Sequence, residues 1–357
     1  MTRSGDDRVA DVRRLLGAAA AVFGDRARLV PAIAEATGLS REGVELGFES
    51  LEREATDEAL RALVAFAGDA PHVHVVLSAN VFVAPLRALA VARAAAARVT
   101  IRPSSRDPIL THALVEAAGD AAIRVVDERD VGAPGALEAG EVHVYGRDET
   151  IAAVRARLRD RPAVTVRGHG AGLGLAVVTG AAGIDGAAAA VARDVVAFDQ
   201  RGCLSPRLVV VEGDAARGLS FARALHEHLA AWAVEVPRGA LVAAERAEAA
   251  RWRETATFAG DVFAAVDHAV ALAPVGAPWW PAPAGRHVQV VAHVGLAGLA
   301  GPLAAIAPFV AAVGSDDPAR VRASLPADVA SGRTMSLGHM QRPPLDGPVD
   351  RRRGRES

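Results

Sequence analysis

The run His72-Val73-His74-Val75-Val76-Leu77, followed by the Ala-rich stretch Leu86 to Ala97 and then Val99-Thr100-Ile101-Arg102, decides the fold. A short β-branched segment, a break at Ser78-Ala79-Asn80, a helix and a second strand that stops at Pro103 make one strand–helix–strand unit. The pattern repeats downstream. Ile109 to Ala118 reads as helix, Ile123 to Val126 and Val142 to Tyr145 as strands, Glu149 to Leu158 as helix and Ala163 to Val166 as strand. Strands alternating with helices of this length predict a parallel sheet covered on both faces, with ligands at the carboxyl ends of the strands.

Upstream, residues 7–66 read as helices, with Ser40 as an N-cap ahead of Val44 and Leu46. These helices are expected to cover one face of the sheet. Downstream, Arg167-Gly168-His169-Gly170-Ala171-Gly172-Leu173-Gly174 crowds glycines after a strand. A dinucleotide fingerprint would open a helix there, but Leu175 to Thr179 reads as another strand, so the segment is expected to be a crossing between two units. In the second unit, Gly186 to Val196, Leu219 to Ala231 and Ala240 to Glu254 read as helices, and Leu208 to Val211 and His287 to Val294 as strands. The Pro-rich end, Arg342 to Pro348, is expected to pack as an extended arm, and Arg351 to Ser357 to be disordered. The domains expected are 1–172, helical entry plus cofactor unit; 173–334, catalytic unit; and 335–357, arm and tail.

The composition is that of a globular protein: 357 residues, 51% hydrophobic and 23% charged. A formal charge of −2 and a pI near 6.6 give no reason to expect nucleic acid or an anionic membrane as partner. No apolar run reaches the length of a membrane span, the start lacks an apolar signal core, and one cysteine fits a reducing compartment, so the expected location is cytoplasmic. Metal ligands are not expected: there is no cysteine pair, and the histidines of His226-Glu227-His228 diverge on a helix.

The single thiol, Cys203, lies in Phe198-Asp199-Gln200-Arg201-Gly202-Cys203-Leu204-Ser205-Pro206-Arg207. Glycine before it and Ser-Pro after it place it on a turn ahead of a strand. Arg201 and Arg207 nearby would lower its pKa. Local sequence leaves two readings open, an inert structural thiol and a reactive one.

In order and spacing these pieces resemble the aldehyde dehydrogenase superfamily, and within it the Lux-type acyl-CoA reductases. The likeness rests on Asn80 followed by Arg102-Pro103-Ser104-Ser105, on Val144-Tyr145-Gly146, on Gly202-Cys203-Leu204-Ser205-Pro206 downstream of Arg167-Gly168-His169-Gly170, and on Gly338 to Asp346. The resemblance implies an α/β fold of two Rossmann-like parallel-sheet domains behind a helical N-terminal segment. It implies reduction of a fatty acyl-CoA to the aldehyde through a thioester on Cys203. Asn80 and the backbone N–H of Cys203 would hold the oxyanion, and His169 could move a proton or lower the thiol pKa. Cofactor contacts would fall on Arg102, Ser104, Ser105, Gly146, Arg147 and Gly168.

Three departures from the family pattern carry meaning. Arg102 and Ser105 stand where the superfamily has lysine and glutamate; losing the carboxylate and gaining a guanidinium favours NADPH over NADH. Val166 stands where an aldehyde-oxidising enzyme keeps its general base, which favours thioester reduction. Arg147 stands in place of a small serine near the cofactor phosphates. The resemblance also implies a homo-oligomer and an acyl-activating or acyl-transfer partner enzyme. Other readings are a reductase for an acyl phosphate or a partner-delivered acyl group, and a non-catalytic scaffold subunit.

Overall fold

The computed structural model describes residues 3–51, 55–78, 81–126 and 137–352. Two sheets carry the fold. The first contains β1 (Ala70–Val76), β2 (Ala96–Arg102), β3 (Ile123–Val125), β4 (Gly140–Tyr145) and β5 (Val164–His169) in the order β3-β2-β1-β4-β5. All its pairings are parallel. The strand order reverses between β1 and β4, which opens a crevice beyond their carboxyl ends.

Four N-terminal helices precede this sheet: α1 (Gly5–Gly24), α2 (Val30–Thr37), α3 (Arg41–Glu49) and α4 (Asp57–Ala67). Their starts are set by side-chain caps, Ser4 on α1, Ser40 on α3 and Thr56 on α4, each accepting a backbone N–H of the first turn. α1 packs on α5 (Ala84–Ala95) and α6 (Ile109–Ala118). In α5, Ala88, Ala90, Ala92, Ala94 and Ala95 are all fully buried. Small side chains let this helix sit between β1 and β2 on one side and α1 and α4 on the other. With aromatics at 4% of residues, tight Ala–Val–Leu contacts replace bulky ones in the core.

The second sheet contains β6 (Leu173–Val178), β7 (Pro206–Glu212), β8 (Asp261–Ala264), β9 (Ala269–Leu272), β10 (His287–His293), β11 (Val310–Ser315) and β12 (Arg333–Ser336). Its order is β12-β11-β6-β7-β10-β9-β8. Every pairing is parallel except β8 with β9, a hairpin at one edge. Helices α7 (Asp148–Leu158), α8 (Ile184–Val196), α9 (Ala215–Glu235) and α10 (Ala243–Ala259) complete the layers.

Residues 170–172 join β5 of one sheet to β6 of the other, so the glycine-rich segment is where the chain crosses between the sheets. The C-terminal arm spans both. Asp194 on α8 accepts N–H groups of Gly338 and Met340 at 2.7 and 2.9 Å. Arg87 on α5 donates to the carbonyls of Pro343, Pro344 and Gly347. Arg351 and Arg352, expected in a disordered tail, are instead held. Arg351 pairs with Asp346, and Arg352 is buried with three hydrogen-bonding partners: the Asp350 carboxylate and the carbonyls of Pro308 and Ala171. Residues 353–357 lie outside the described residues. Among the described residues no helix is long and apolar enough to cross a membrane.

Candidate active site

Cys203 sits on the turn that enters β7, and that turn is built from an unusual backbone. Phe198, Asp199 and Gln200 have φ of 56, 49 and 64°, three successive left-handed residues with no glycine among them. Each such residue costs about 1–2 kcal/mol, so surrounding contacts must impose the shape. They are present on every side. The Asp199 carboxylate accepts from Arg286 Nε at 2.9 Å and Nη2 at 2.8 Å, a pair that is 2% and 1% exposed. Its other oxygen accepts from Gly239 N at 2.9 Å. Gln200 donates to the carbonyls of Pro206 and His287 and accepts from His287 N. Phe198 packs against Phe82 with ring centroids 5.8 Å apart.

Two glycines of the crossing segment exist to admit this turn. A Cβ on Gly174 would lie 2.2 Å from the Leu204 carbonyl oxygen, so only glycine lets β6 pass. A Cβ on Gly172 would lie 3.3 Å from the Cys203 Cβ and 3.1 Å from both Arg352 Nη2 and the Ala311 Cβ. Those three groups therefore converge on one point.

The thiol is half-buried and closely surrounded. It packs against an apolar cluster of Leu204, Ala312 and Met340, on which Met335 and Val349 also rest. Burial pushes its pKa up to about 11, the Asp350 carboxylate adds to the rise, and Arg352 and Arg207 oppose it more weakly. This corrects the expectation of a lowered thiol pKa. Of the two arginines behind that expectation, Arg207 does face the sulfur. Arg201 is turned away, donating to the carbonyls of Thr37 and Ala240 and pairing with Glu245 at 3.6 Å.

His169, the last residue of β5, lies on the same side of the molecule as the thiol. Its ring stacks on Tyr145 with centroids 4.4 Å apart, and the Asp350 charge acts on it as on Cys203. Burial lowers its pKa to about 3, so at neutral pH it is an uncharged imidazole. Such a ring can accept a proton or a hydrogen bond but supplies no positive charge to stabilise a thiolate. Val166, three residues earlier on β5, packs with the Ile151 and Val154 core under α7. The carboxylate nearest in the sheet, Glu141, is committed to His143 and to both Nε and Nη2 of Arg167 at 2.7–2.8 Å.

The expected cofactor residues line up along one edge, at the carboxyl ends of neighbouring parallel strands. Arg102 ends β2, with Ser104 and Ser105 just beyond; Gly146 and Arg147 follow β4; Gly168 precedes the end of β5. β1 runs between β2 and β4, which puts Arg102 and Gly146 roughly 10 Å apart across two strand spacings. Among the described residues, neither Arg102 nor the exposed Arg147 has a carboxylate partner. Arg147 occupies the N-cap position of α7, its carbonyl accepting from Thr150 and Ile151. A Cβ on Gly168 would meet Ile151 Cγ2 at 2.7 Å, so this glycine serves the helix–strand contact. The only carboxylate close after Ser105, Asp107, is turned inward and 7% exposed. Two guanidiniums without a carboxylate partner among the described residues, beside small serines at parallel strand ends, fit the phosphates and ribose of a nicotinamide dinucleotide.

Asn80 lies outside the described residues. Its neighbour Val81 is placed: the Val81 Cγ2 lies 3.5 Å from where a Cβ on Gly202 would be, so the chain at the end of β1 reaches the cysteine turn. A hollow of about 620 Å³, lined by Gly180, Glu212, Asp214, Arg217 and Arg320, lies at the carboxyl end of the second sheet and contains none of the expected site residues. His226 and His228 meet different partners, His268 and Asp185. The contributions that sequence reasoning missed are Asp199 with Arg286, and the pair Asp350 and Arg352. Arg286 at φ 66° and the Asp350-Arg351-Arg352 triplet gave no local signal of a role.

Comparison with known proteins agrees with this arrangement. A model of the acyl-CoA reductase (LuxC) family matches residues 65–314. Solved structures with the same fold include an oxidoreductase from Marinobacter aquaeolei, at TM-score 0.67, 11% identity, 95% of this chain and 79% of that one. A NAD-dependent benzaldehyde dehydrogenase from Corynebacterium glutamicum superposes with TM-score 0.63 at 16% identity, covering 94% and 81% of the two chains. PnpE from Pseudomonas sp. WBC-3 does so with TM-score 0.67 at 17% identity, covering 92% and 77%. No curated protein sequence matches the chain.

Proposed function

Since the chain belongs to the acyl-CoA reductase (LuxC) family, we propose that it reduces a long-chain fatty acyl-CoA to the aldehyde with NADPH, through a thioester on Cys203. The observation that carries this reading is the placement of Cys203. The thiol stands on a strained turn where the glycine crossing brings the second sheet against the His169–Tyr145 edge of the first.

In the first step the Cys203 thiolate adds to the thioester carbonyl. The carbon–sulfur bond to CoA then breaks, and CoA leaves as a thiolate that takes up a proton, so the acyl group changes sulfur without any redox change. The backbone N–H of Cys203 and the side-chain amide of Asn80 hold the transient oxyanion; removing one such donor typically costs roughly a hundred- to a thousandfold in rate. Val81 against Gly202 supports this use of the Asn80 loop. The nicotinamide, when bound, supplies the two electrons that take the thioester to the aldehyde. Arg102 would hold the 2′-phosphate, Ser104 and Ser105 would accommodate the ribose without a repelling carboxylate, and Gly146 and Arg147 would take the diphosphate. Gly168 keeps α7 close to that edge, and neutral His169 would be available to move a proton.

In this reading residues 1–172 serve the cofactor, 173–334 carry the thiol and 335–357 form an arm. The protein works in the cytoplasm as a homo-oligomer supplied by an acyl-activating or acyl-transfer enzyme. The test is incubation with a labelled long-chain acyl-CoA and mass measurement of the intact protein. The expected result is one acyl mass added to the native chain and none to Cys203→Ala, with NADPH consumed only by the former. A mass gain from acyl phosphate but not acyl-CoA would support the acyl phosphate reading instead. The raised thiol pKa favours a non-catalytic subunit, and that reading wins if no donor acylates Cys203 at any pH up to 10.

A further inference from the structure

The end of the described chain runs close to the cysteine. Val349 is in the apolar cluster with Cys203 and Leu204, and Arg352 Nη2 meets the same point beside Gly172 as the Cys203 Cβ. Asp350 and Arg352 form an ion pair with side chains 7% and 6% exposed. Arg352 fixes this segment to the second sheet and the crossing, donating to Pro308 O at 2.8 Å and Ala171 O at 3.0 Å. At the other end Arg333 on β12 donates to Pro348 O at 2.6 Å and Val349 O at 2.9 Å. A segment tied at both ends, with its middle packed on the same apolar cluster as a half-buried nucleophile, has the build of a closure.

We propose that residues 348–352 form a strap that closes over Cys203, shields the sulfur from solvent and from any acyl donor, and must swing off before the thiol can react. An acyl chain and its leaving group need the space that Val349, Asp350 and Arg352 fill. The fixed hinge is the Arg333–Asp346 pair at 2.9 Å, and the releasable latch is the two Arg352 hydrogen bonds to the Pro308 and Ala171 carbonyls. The charged groups facing the sulfur are Asp350 and Arg352 from the strap, Arg207 from β7 and Arg333 from β12. With the strap in place the thiol titrates at about 11 against an ordinary 9.0, chiefly through burial. This inference concerns thiol access alone, and it stands or falls independently of what acylates the cysteine.

The experiment measures alkylation of Cys203 by iodoacetamide, read by intact mass, from pH 6 to pH 10 in the full chain and in Arg352→Ala. A two-unit fall in pKa gives about a hundredfold more thiolate at pH 8, and the weaker nucleophilicity of a lower-pKa thiolate takes back roughly half of that on a log scale. The expected result is about tenfold faster alkylation of Arg352→Ala at pH 8, with its midpoint falling within the measured range toward 9.0 while that of the native chain stays above it. The sign is decisive. Arg352 itself lowers the thiol pKa, so in a segment that stays put its loss slows alkylation. An unchanged or slower rate overturns the proposal. Should Arg352→Ala fail to fold, Val349→Asp gives the same discrimination. A carboxylate forced into the Leu204–Ala312–Met340 cluster expels a strap and speeds alkylation, whereas in a fixed segment the added anion slows it.

Discussion

Replacing Asp199 with alanine should do more damage than any other single change near the cysteine turn, and its size can be worked from contacts. The carboxylate receives two charge-assisted hydrogen bonds from Arg286 and one from Gly239 N, all between 2.8 and 2.9 Å. Arg286 is 1% exposed, and apart from Asp199 its guanidinium also donates to the Val236 carbonyl. The variant thus strands a guanidinium without its anion, a loss of about 3–5 kcal/mol in buried pairs. It also releases the hold on three left-handed residues whose conformation stores about 3–6 kcal/mol at the usual cost per residue. Part of that strain is recovered as the turn relaxes, so stability falls by less than the sum while the shape of the turn is lost. At about 2.1 cal/mol/K of unfolding entropy per residue, 3–5 kcal/mol lowers the melting temperature of a chain this long by about 4–7 °C. Differential scanning calorimetry measures it, and acyl labelling of Cys203 at a temperature where the variant is folded reports the turn. A melting temperature within 1 °C of the native chain would show that the Asp199–Arg286 pair does not impose the turn.

Three further changes test other parts of the account. Gly174→Ala puts a Cβ 2.2 Å from the Leu204 carbonyl oxygen, a backbone atom that cannot turn aside. The expected loss is about 3 kcal/mol, at the upper end for overpacking, measured by urea unfolding; a loss under about 1 kcal/mol would refute the close approach. Arg102→Ala should weaken NADPH binding roughly ten- to a hundredfold, the worth of a charge-assisted phosphate contact, and leave NADH unchanged in a nucleotide fluorescence titration. Equal weakening of both nucleotides would remove Arg102 from the 2′-phosphate. Acid should destabilise the fold below neutral pH. Burial holds His74 and His287 at about 4 and His169 at about 3, all below the 6.5 of an unfolded histidine. Their contribution is complete above pH 6.5 and is lost as the pH falls toward 4 and 3, because the unfolded chain takes the proton first. Each histidine gives a slope of up to about 1.4 kcal/mol per pH unit. A urea midpoint that stays level between pH 7 and pH 5 would contradict their burial.

Much of this architecture is legible in the sequence, for reasons that are local. β-Branched runs separated by helical spacing give β1, β2 and β4 their places, Ser40 caps α3 as its position suggests, and Gly202 with Ser205-Pro206 puts Cys203 ahead of β7. What escapes is set by partners far along the chain. Nothing in Phe198-Asp199-Gln200 signals three positive φ angles, because the groups that enforce them are Arg286, Gly239 and His287. The β8–β9 hairpin is hidden by its shortness, four residues a side behind a long helix. Arg201 looks like a thiol activator in one dimension, but the left-handed turn sends its guanidinium toward Thr37 and Ala240. The sign of the thiol pKa was out of reach for the same reason: it depends on Val349, Asp350 and the crossing, none of which is near Cys203 in sequence.

The apparent conflict between a nucleophile and a thiol held near 11 resolves if the two belong to different states of one site. A thioester that awaits reduction is lost whenever water reaches it, and a free thiolate is exposed to adventitious oxidation and alkylation. Both hazards shrink when the sulfur is covered and protonated except while substrate is present. The surroundings of Cys203 are consistent with that demand. Val166 places an apolar side chain on β5, Glu141 is tied up by His143 and Arg167, and His169, held at about 3, is only a weak base, so among the described residues none of these groups activates water strongly. The remaining carboxylate, Asp350, is locked to Arg352 and leaves with the strap. Opening the strap would then do two things at once: it admits the acyl donor, and it removes the anion and the apolar cover that keep the thiol protonated. Acyl-CoA should therefore acylate the native chain with an apparent affinity weakened by the closed fraction, and a strap-released variant should acylate faster at low donor concentration.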